Sequence, residues 1–331
     1  MSRRLTNQQK RLLETRREQL LSSEDMEHAF SGRVISQHGQ HVTLEDEAGN
    51  LHKAAVRQSL GAIVCGDLVY YLLEQNEPVV IARLPRENHF SRIAFGGAEK
   101  ILAANIDQLY IVIAPKPEPS PSLIDRYLIA ATYFNIPVAF IVNKKDEIDP
   151  ASDALSFLED YAKLGIPLYY TSIFDEASVT ALEALLTGKT SIFVGQSGVG
   201  KSSLTNKIVP SLALQTQKIN ASTGLGNHTT SSTTLYHLPM DESYLIDSPG
   251  VRSFNIEHLP LEAIEQGFPE LESITKACHF SNCRHEDDPG CTFQEAIGAG
   301  IISQRRFDSY LQIKSSMSKS IERQVKGGRR R

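Results

Sequence analysis

The sequence predicts an α/β fold in three parts, on three observations. Five short strand-like runs crowd residues 30–84, strand and helix patterns alternate from Ile106 to Ile208, and a Cys/His cluster occupies residues 278–291. A small β-barrel, a parallel sheet covered by helices on both faces, and a helical domain held by a metal ion are the simplest structures these patterns allow.

The 331 residues suffice for two or three domains, and 41% apolar with 22% charged residues describe an ordinary globular chain. Apolar runs such as 109–114 and 138–142 are far shorter than the roughly 20 residues of a membrane span. The polar, basic N-terminus has no apolar signal core, so a cytoplasmic chain is expected. Its net charge of −5 is unevenly spread: residues 1–20 carry six Lys/Arg and residues 305–331 carry nine, leaving 19 basic and 35 acidic residues between. Basic ends on an acidic body suit a polyanionic partner, most simply nucleic acid, although solvated termini explain the same charges.

Residues 1–29 are expected to be a basic flexible arm. The runs 32–36, 41–45, 51–57, 68–74 and 79–84, separated by turn residues such as Gly39, Gly49-Asn50 and Gly66-Asp67, predict a barrel over 30–84. An oligonucleotide-binding (OB-like) barrel leads, beside a barrel of purely structural use. Residues 85–103 read as a connector around Gly96-Gly97.

From 104 to 256 the period changes. Strands are expected at 106–114, 138–142, 168–171, 191–194 and 244–246, and helices at 123–134, 152–164, 179–186 and 203–208. Ligands of such sheets sit at the carboxyl ends of the strands, and four of those ends carry chemistry. After the strand at 191–194 comes Gly195-Gln196-Ser197-Gly198-Val199-Gly200-Lys201-Ser202-Ser203. Glycines let successive N–H groups face phosphate oxygens, the following helix offers its positive end, Lys201 reaches the phosphates, and the Ser202 hydroxyl joins a Mg²⁺ shell.

After the strand at 138–142 stands Asn143-Lys144-Lys145-Asp146. The Asp146 carboxylate can accept both the ring N–H and the exocyclic amine of guanine, whereas adenine would leave that charge unpaired. Asn143 can tie this loop to the phosphate loop, and the Lys144 stem can cover the base. Thr171-Ser172 can offer a backbone N–H to the guanine oxygen. Beyond the phosphate loop, His228-Thr229-Thr230 suits a switch segment, with Thr230 meeting Mg²⁺. Asp247-Ser248-Pro249-Gly250 then supplies a Mg²⁺-shell carboxylate at Asp247 and a γ-phosphate N–H at Gly250. Val251 follows, where many GTPases have a glutamine, and its side chain cannot orient a water.

Cys278, Cys283, His285 and Cys291 can converge on one tetrahedral ion with no open position, a structural Zn²⁺ site. Helices at about 260–275 and 303–324 flank it, in a domain spanning 257–315 before a basic tail at 316–331.

The order of motifs carries a resemblance. The base-reading Asn143–Asp146 precedes Thr171-Ser172, then the phosphate loop at 195, His228 and Asp247 to Gly250, whereas an ordinary GTPase begins with the phosphate loop. With a barrel before and a Cys₃His knuckle after, and with Ala104-Asn105-Ile106-Asp107, residues 30–315 resemble the circularly permuted GTPases of the RsgA (YjeQ) family. The resemblance implies subunit-stimulated GTP hydrolysis during late maturation of the small ribosomal subunit. It also implies Mg²⁺ with GTP, one Zn²⁺ per chain, rRNA contact by the barrel and zinc domains, and a catalytic role for His228 beside Lys201 and Asp247. A monomer is expected. A GTP-regulated RNA-binding module with little hydrolysis, suggested by Val251, and a DNA-associated NTPase, suggested by the basic ends, are the alternatives.

Overall fold

The computed structural model describes residues 28–94, 97–209, 233–248, 253–271, 274 and 291–328, with side chains described to residue 320. Five strands begin it: β1 Phe30–His38, β2 His41–Asp46, β3 Leu51–Val56, β4 Leu68–Glu74 and β5 Glu77–Arg83. β1 pairs antiparallel with β2 and β4, β2 with β3 and β4 with β5, while β3 runs parallel to β5, so the ring closes. Closure leaves no sheet edge to protect. Alternation puts Val34, Val42, Leu44, Ala54, Val69, Tyr71 and Val80 into its core.

The segment expected as a connector instead contains a β-hairpin, β6 His89–Ile93 with β7 Glu99–Ala104. Phe90 and Ala103 are fully buried within it. Of the expected Gly96-Gly97 signal, Gly97 lies just before β7 with φ 86°, and Gly96 lies outside the described residues.

The central sheet runs in the order β10-β9-β8-β11-β13-β12. β8 Gln108–Ile113, β9 Val138–Val142, β10 Leu168–Tyr170, β11 Thr190–Val194 and β13 Tyr244–Asp247 are parallel. β12 Thr234–His237, which the sequence did not signal, is antiparallel to β13 and touches the barrel through Ser36 opposite Thr234. Successive β8 residues serve opposite cores: Leu109, Ile111 and Ile113 face one, Tyr110 and Val112 the other. That is the two-sided burial expected of a parallel sheet.

Four helices cover this sheet: α1 Pro121–Tyr133, α2 Leu158–Lys163, α3 Glu176–Leu186 and α4 Lys201–Ile208. Pro121 opens α1 at a position that needs no N–H, and the Asp175 carboxylate accepts the Ala177 N–H to cap α3. The helix expected over 152–164 splits, because Ser152 caps a 3₁₀ turn at Asp153–Leu155 and Ser156 Oγ donates to the Asp153 carbonyl. Short hydroxyl side chains compete with helical bonding in this way.

The C-terminal part contributes α5 Glu262–Gln266, a 3₁₀ turn Pro269–Leu271, α6 Thr292–Gly298 and α7 Gln304–Gly328. α7 is continuous across the expected boundary between domain and tail. Phe254, Phe268, Phe293, Phe307, Tyr310 and Ile313 join the same core as α1. Two buried charges fasten the parts together. Arg33 of the barrel donates to Thr190 Oγ1 at 3.1 Å and lies 3.9 Å over the Tyr244 ring. Arg306 of α7 donates to Asp125 of α1 at 2.5 Å and to Glu270 at 2.7 Å. Among the described residues no helix is long and apolar enough to cross a membrane.

Candidate nucleotide site

The phosphate loop joins β11 to α4. Gly195 has φ 144°, and a Cβ there would overlap the Val112 carbonyl of β8, so only glycine lets the loop leave the sheet at this point. Gly200 has φ 94°, and a Cβ there would overlap Asn143 Nδ2. Asn143 in turn donates from that nitrogen to the Val199 carbonyl at 2.9 Å and is buried. The Asn143–Asp146 and Gly195–Ser202 loops, expected to read base and phosphate and joined here by residues 56 apart, are thus in direct contact.

Lys201 is buried, its ammonium donating to the carbonyls of Gly195 at 2.9 Å and Gln196 at 3.1 Å. Burial lowers its pKa to about 8, against the pull of Asp247 in the opposite direction. Ser202 Oγ lies 3.4 Å from Asp247 Oδ2 at the end of β13. A hydroxyl beside a buried carboxylate is a hard oxygen donor set that fits Mg²⁺. Ser197 and Ser203 are exposed, Gly198 has φ 90° and Val199 is buried.

Lys144 adopts the left-handed conformation (φ 56°) and donates to the Lys116 carbonyl at 3.1 Å, which lays its stem along the loop. Lys145 pairs with Asp175, and its N–H bonds the Thr171 carbonyl at 3.0 Å. Asp146, the next residue, is exposed. Thr171 and Ser172 are buried beside this loop, but both N–H groups have protein partners: Thr171 donates to the Val142 carbonyl at 2.9 Å and Ser172 to Ser178 Oγ at 3.1 Å. A base oxygen would have to displace Ser178 to use the second.

His228, Thr229, Thr230, Gly250, Cys278, Cys283 and His285 lie outside the described residues. Cys291, the remaining member of the zinc set, is buried immediately before α6. Sequence reasoning missed Tyr127, which lines a small cavity with Gly195, Gln196 and Val199, and the buried Asp125–Arg306 pair that holds α1 to α7. An Asp-Arg pair inside the apolar run 123–131 was the available signal, since buried charges are kept only when paired.

A base-reading loop that precedes the phosphate loop in the chain yet meets it on the same sheet edge, with a closed barrel in front, defines a circularly permuted GTPase. The chain belongs to the RsgA GTPase family, whose model matches residues 83–257. It is similar to a small ribosomal subunit biogenesis GTPase RsgA of Chromohalobacter salexigens, 41% identical over 288 residues, 85% of this chain and 84% of that protein. The protein of the same name from Pseudomonas aeruginosa is 38% identical over 309 residues, 92% and 90% of the two chains. Among solved structures, YjeQ from Thermotoga maritima matches with a TM-score of 0.66 and 30% identity, covering 87% of this chain and 98% of that one. YloQ, described as a circularly permuted GTPase, matches at 0.64 and 25% identity, covering 88% and 96%. The protein is a GTP hydrolase of this family, which uses Mg²⁺ with GTP.

Proposed function

We propose that this GTPase binds the small ribosomal subunit and acts in its late maturation, turning over GTP to GDP and phosphate faster when the subunit is bound. The observation that carries the nucleotide half is the Asn143–Val199 contact, which puts base and phosphate recognition side by side. The partner is carried over from relatives named for small ribosomal subunit biogenesis.

In this reading Asp146 selects guanine, with Asn143, Lys144 and Lys145 shaping the base pocket and Thr171-Ser172 bordering it. Gly195 to Ser203 hold the phosphates, and Thr229, Thr230 and Gly250 complete the γ-phosphate contacts. Ser202, Asp247 and Thr230 would hold Mg²⁺, which neutralises charge on the phosphate oxygens when bound. Lys201 and Asp247 act at the reacting phosphate, and His228 orients the attacking water that Val251 cannot. Cys278, Cys283, His285 and Cys291 hold one structural Zn²⁺, a reading supported by their spacing.

The domain plan is a basic arm at 1–29, an OB-like barrel at 30–84, a connecting hairpin segment at 85–103, a permuted GTPase domain at 104–256, a helical zinc domain at 257–315 and a basic tail at 316–331. The closed five-strand ring supports the OB-like reading. The chain works as a cytoplasmic monomer whose basic ends and barrel meet rRNA. Turnover measured alone, with small ribosomal subunits and with duplex DNA tests the proposal. Stimulation by subunits alone supports it, and stimulation by DNA alone rejects it.

A further inference from the structure

The turn between β10 and α3 is anchored to the loop that carries Asp146. The Lys145 N–H donates to the Thr171 carbonyl at 3.0 Å, and the Lys145 ammonium pairs with the Asp175 carboxylate. Residues 171–175 are thus held to the immediate neighbour of Asp146, and four of their five backbone N–H groups are already used. Thr171 donates to the Val142 carbonyl at 2.9 Å, Ser172 to Ser178 Oγ at 3.1 Å, Phe174 to Ser172 Oγ at 3.2 Å and Asp175 to the Ser172 carbonyl at 3.0 Å. The Ile173 N–H has no partner among the described residues, while its side chain packs against the core that holds Tyr110 and Leu182.

Ser178, in the first turn of α3, sets this pattern. A hydroxyl has one proton to give and two lone pairs to offer. The proton goes to the Asp175 carbonyl at 2.8 Å, one lone pair takes the Ser172 N–H, and Thr171 Oγ1 lies 3.3 Å from the same oxygen. Ser172 is buried. Without the Ser178 hydroxyl its N–H would stand unpaired away from water, or the turn would shift to pair it.

We propose that Ser178 is a positioning residue that sets base specificity: by holding the Ser172 N–H it leaves the Ile173 N–H as the donor this turn offers to the guanine oxygen. An exocyclic amine at that place, as in adenine, would set donor against donor. The inference rests on the base-pocket reading of Asp146.

Ser178→Ala removes the hydroxyl and keeps a good helix former. The test uses the full chain, with calorimetric affinity for GDP and for 6-thio-GDP and the thermal midpoint without nucleotide. The thio analogue keeps both donors that Asp146 would accept and carries sulfur, a weak acceptor, in place of the oxygen. Wild type should prefer GDP by about tenfold. Ser178→Ala should weaken GDP by about tenfold and 6-thio-GDP by less than about threefold, so that most of the preference disappears. Ser178→Thr, which keeps a hydroxyl, should restore it. A general loosening of the fold would instead weaken both nucleotides alike and lower the midpoint by more than a few degrees. Unchanged GDP affinity in Ser178→Ala, or an equal loss for both nucleotides, overturns the proposal. Asp146→Asn separates the two readings. If Asp146→Asn loses GDP while Ser178→Ala keeps the wild-type preference, the positioning role alone is wrong. If Asp146→Asn binds GDP as the wild type does, the base-pocket reading and the proposal fall together.

Discussion

Asn143 and Val199 meet through one buried hydrogen bond of 2.9 Å, and the Gly200 backbone leaves no room for a side chain beside it. In the proposed assignment this contact lets a permuted chain rebuild a continuous nucleotide site, because the two loops need only be close in space. Gly200→Ala would place a methyl against Asn143 Nδ2 at φ 94°. Combined strain and a broken contact should cost about 2 kcal/mol or more of loop stability, about thirtyfold in GDP affinity. Calorimetry checks it, and wild-type affinity would mean that the contact is dispensable.

Asp146→Asn should weaken GTP binding and improve xanthosine triphosphate binding, because the xanthine oxygen needs a donor where guanine offers one. Asp146 is exposed, so the fold should be unaffected. A competition assay with unchanged selectivity would remove Asp146 from the base pocket.

Lys201 gives a pH dependence. Burial lowers its pKa from 10.5 to about 8 in the nucleotide-free protein, and phosphates must raise it again. Binding therefore takes up a proton above pH 8. Affinity should be flat at neutral pH and fall as pH rises through about 8, by at most tenfold per unit. The stability sign is opposite: the cost of burying the charge is fully present below about 8 and is relieved as pH rises towards 10.5. Titrations of GDP affinity against pH should show the slope in the wild type and not in Lys201→Met.

The strand runs, and the loops that follow the strands ending at Val142 and Val194, were legible because each is local: alternation marks the barrel, and the glycine spacing marks the strand-loop-helix turn at Gly195 to Lys201. The hairpin His89–Ile93/Glu99–Ala104 was not, since its strands are short and its pairing is explained only by Phe90 meeting Phe254 across the fold. β12 was missed because four residues after a polar stretch carry no period. The Asp125–Arg306 pair joins positions 181 residues apart, which no window along the chain reveals.

That pair predicts a stability effect. Both side chains are almost fully buried, and Glu270 supplies a second carboxylate. Asp125→Ala should cost about 3 kcal/mol in denaturant unfolding, at the lower end for a broken buried pair because Glu270 remains. Arg306→Ala should cost more, since it strands two carboxylates. Equal, near-zero effects would mean that the pair does not fasten α7 to α1.

In the proposed function this GTPase is switched on by its partner. Steady-state GTP turnover of the full chain, alone and with equimolar small ribosomal subunits, tests it most directly, with His228→Ala run beside the wild type. The subunit should raise wild-type turnover by at least about tenfold and leave His228→Ala near its unstimulated rate, because Val251 offers the attacking water no polar group. Wild-type turnover that is the same with and without subunits would contradict the account.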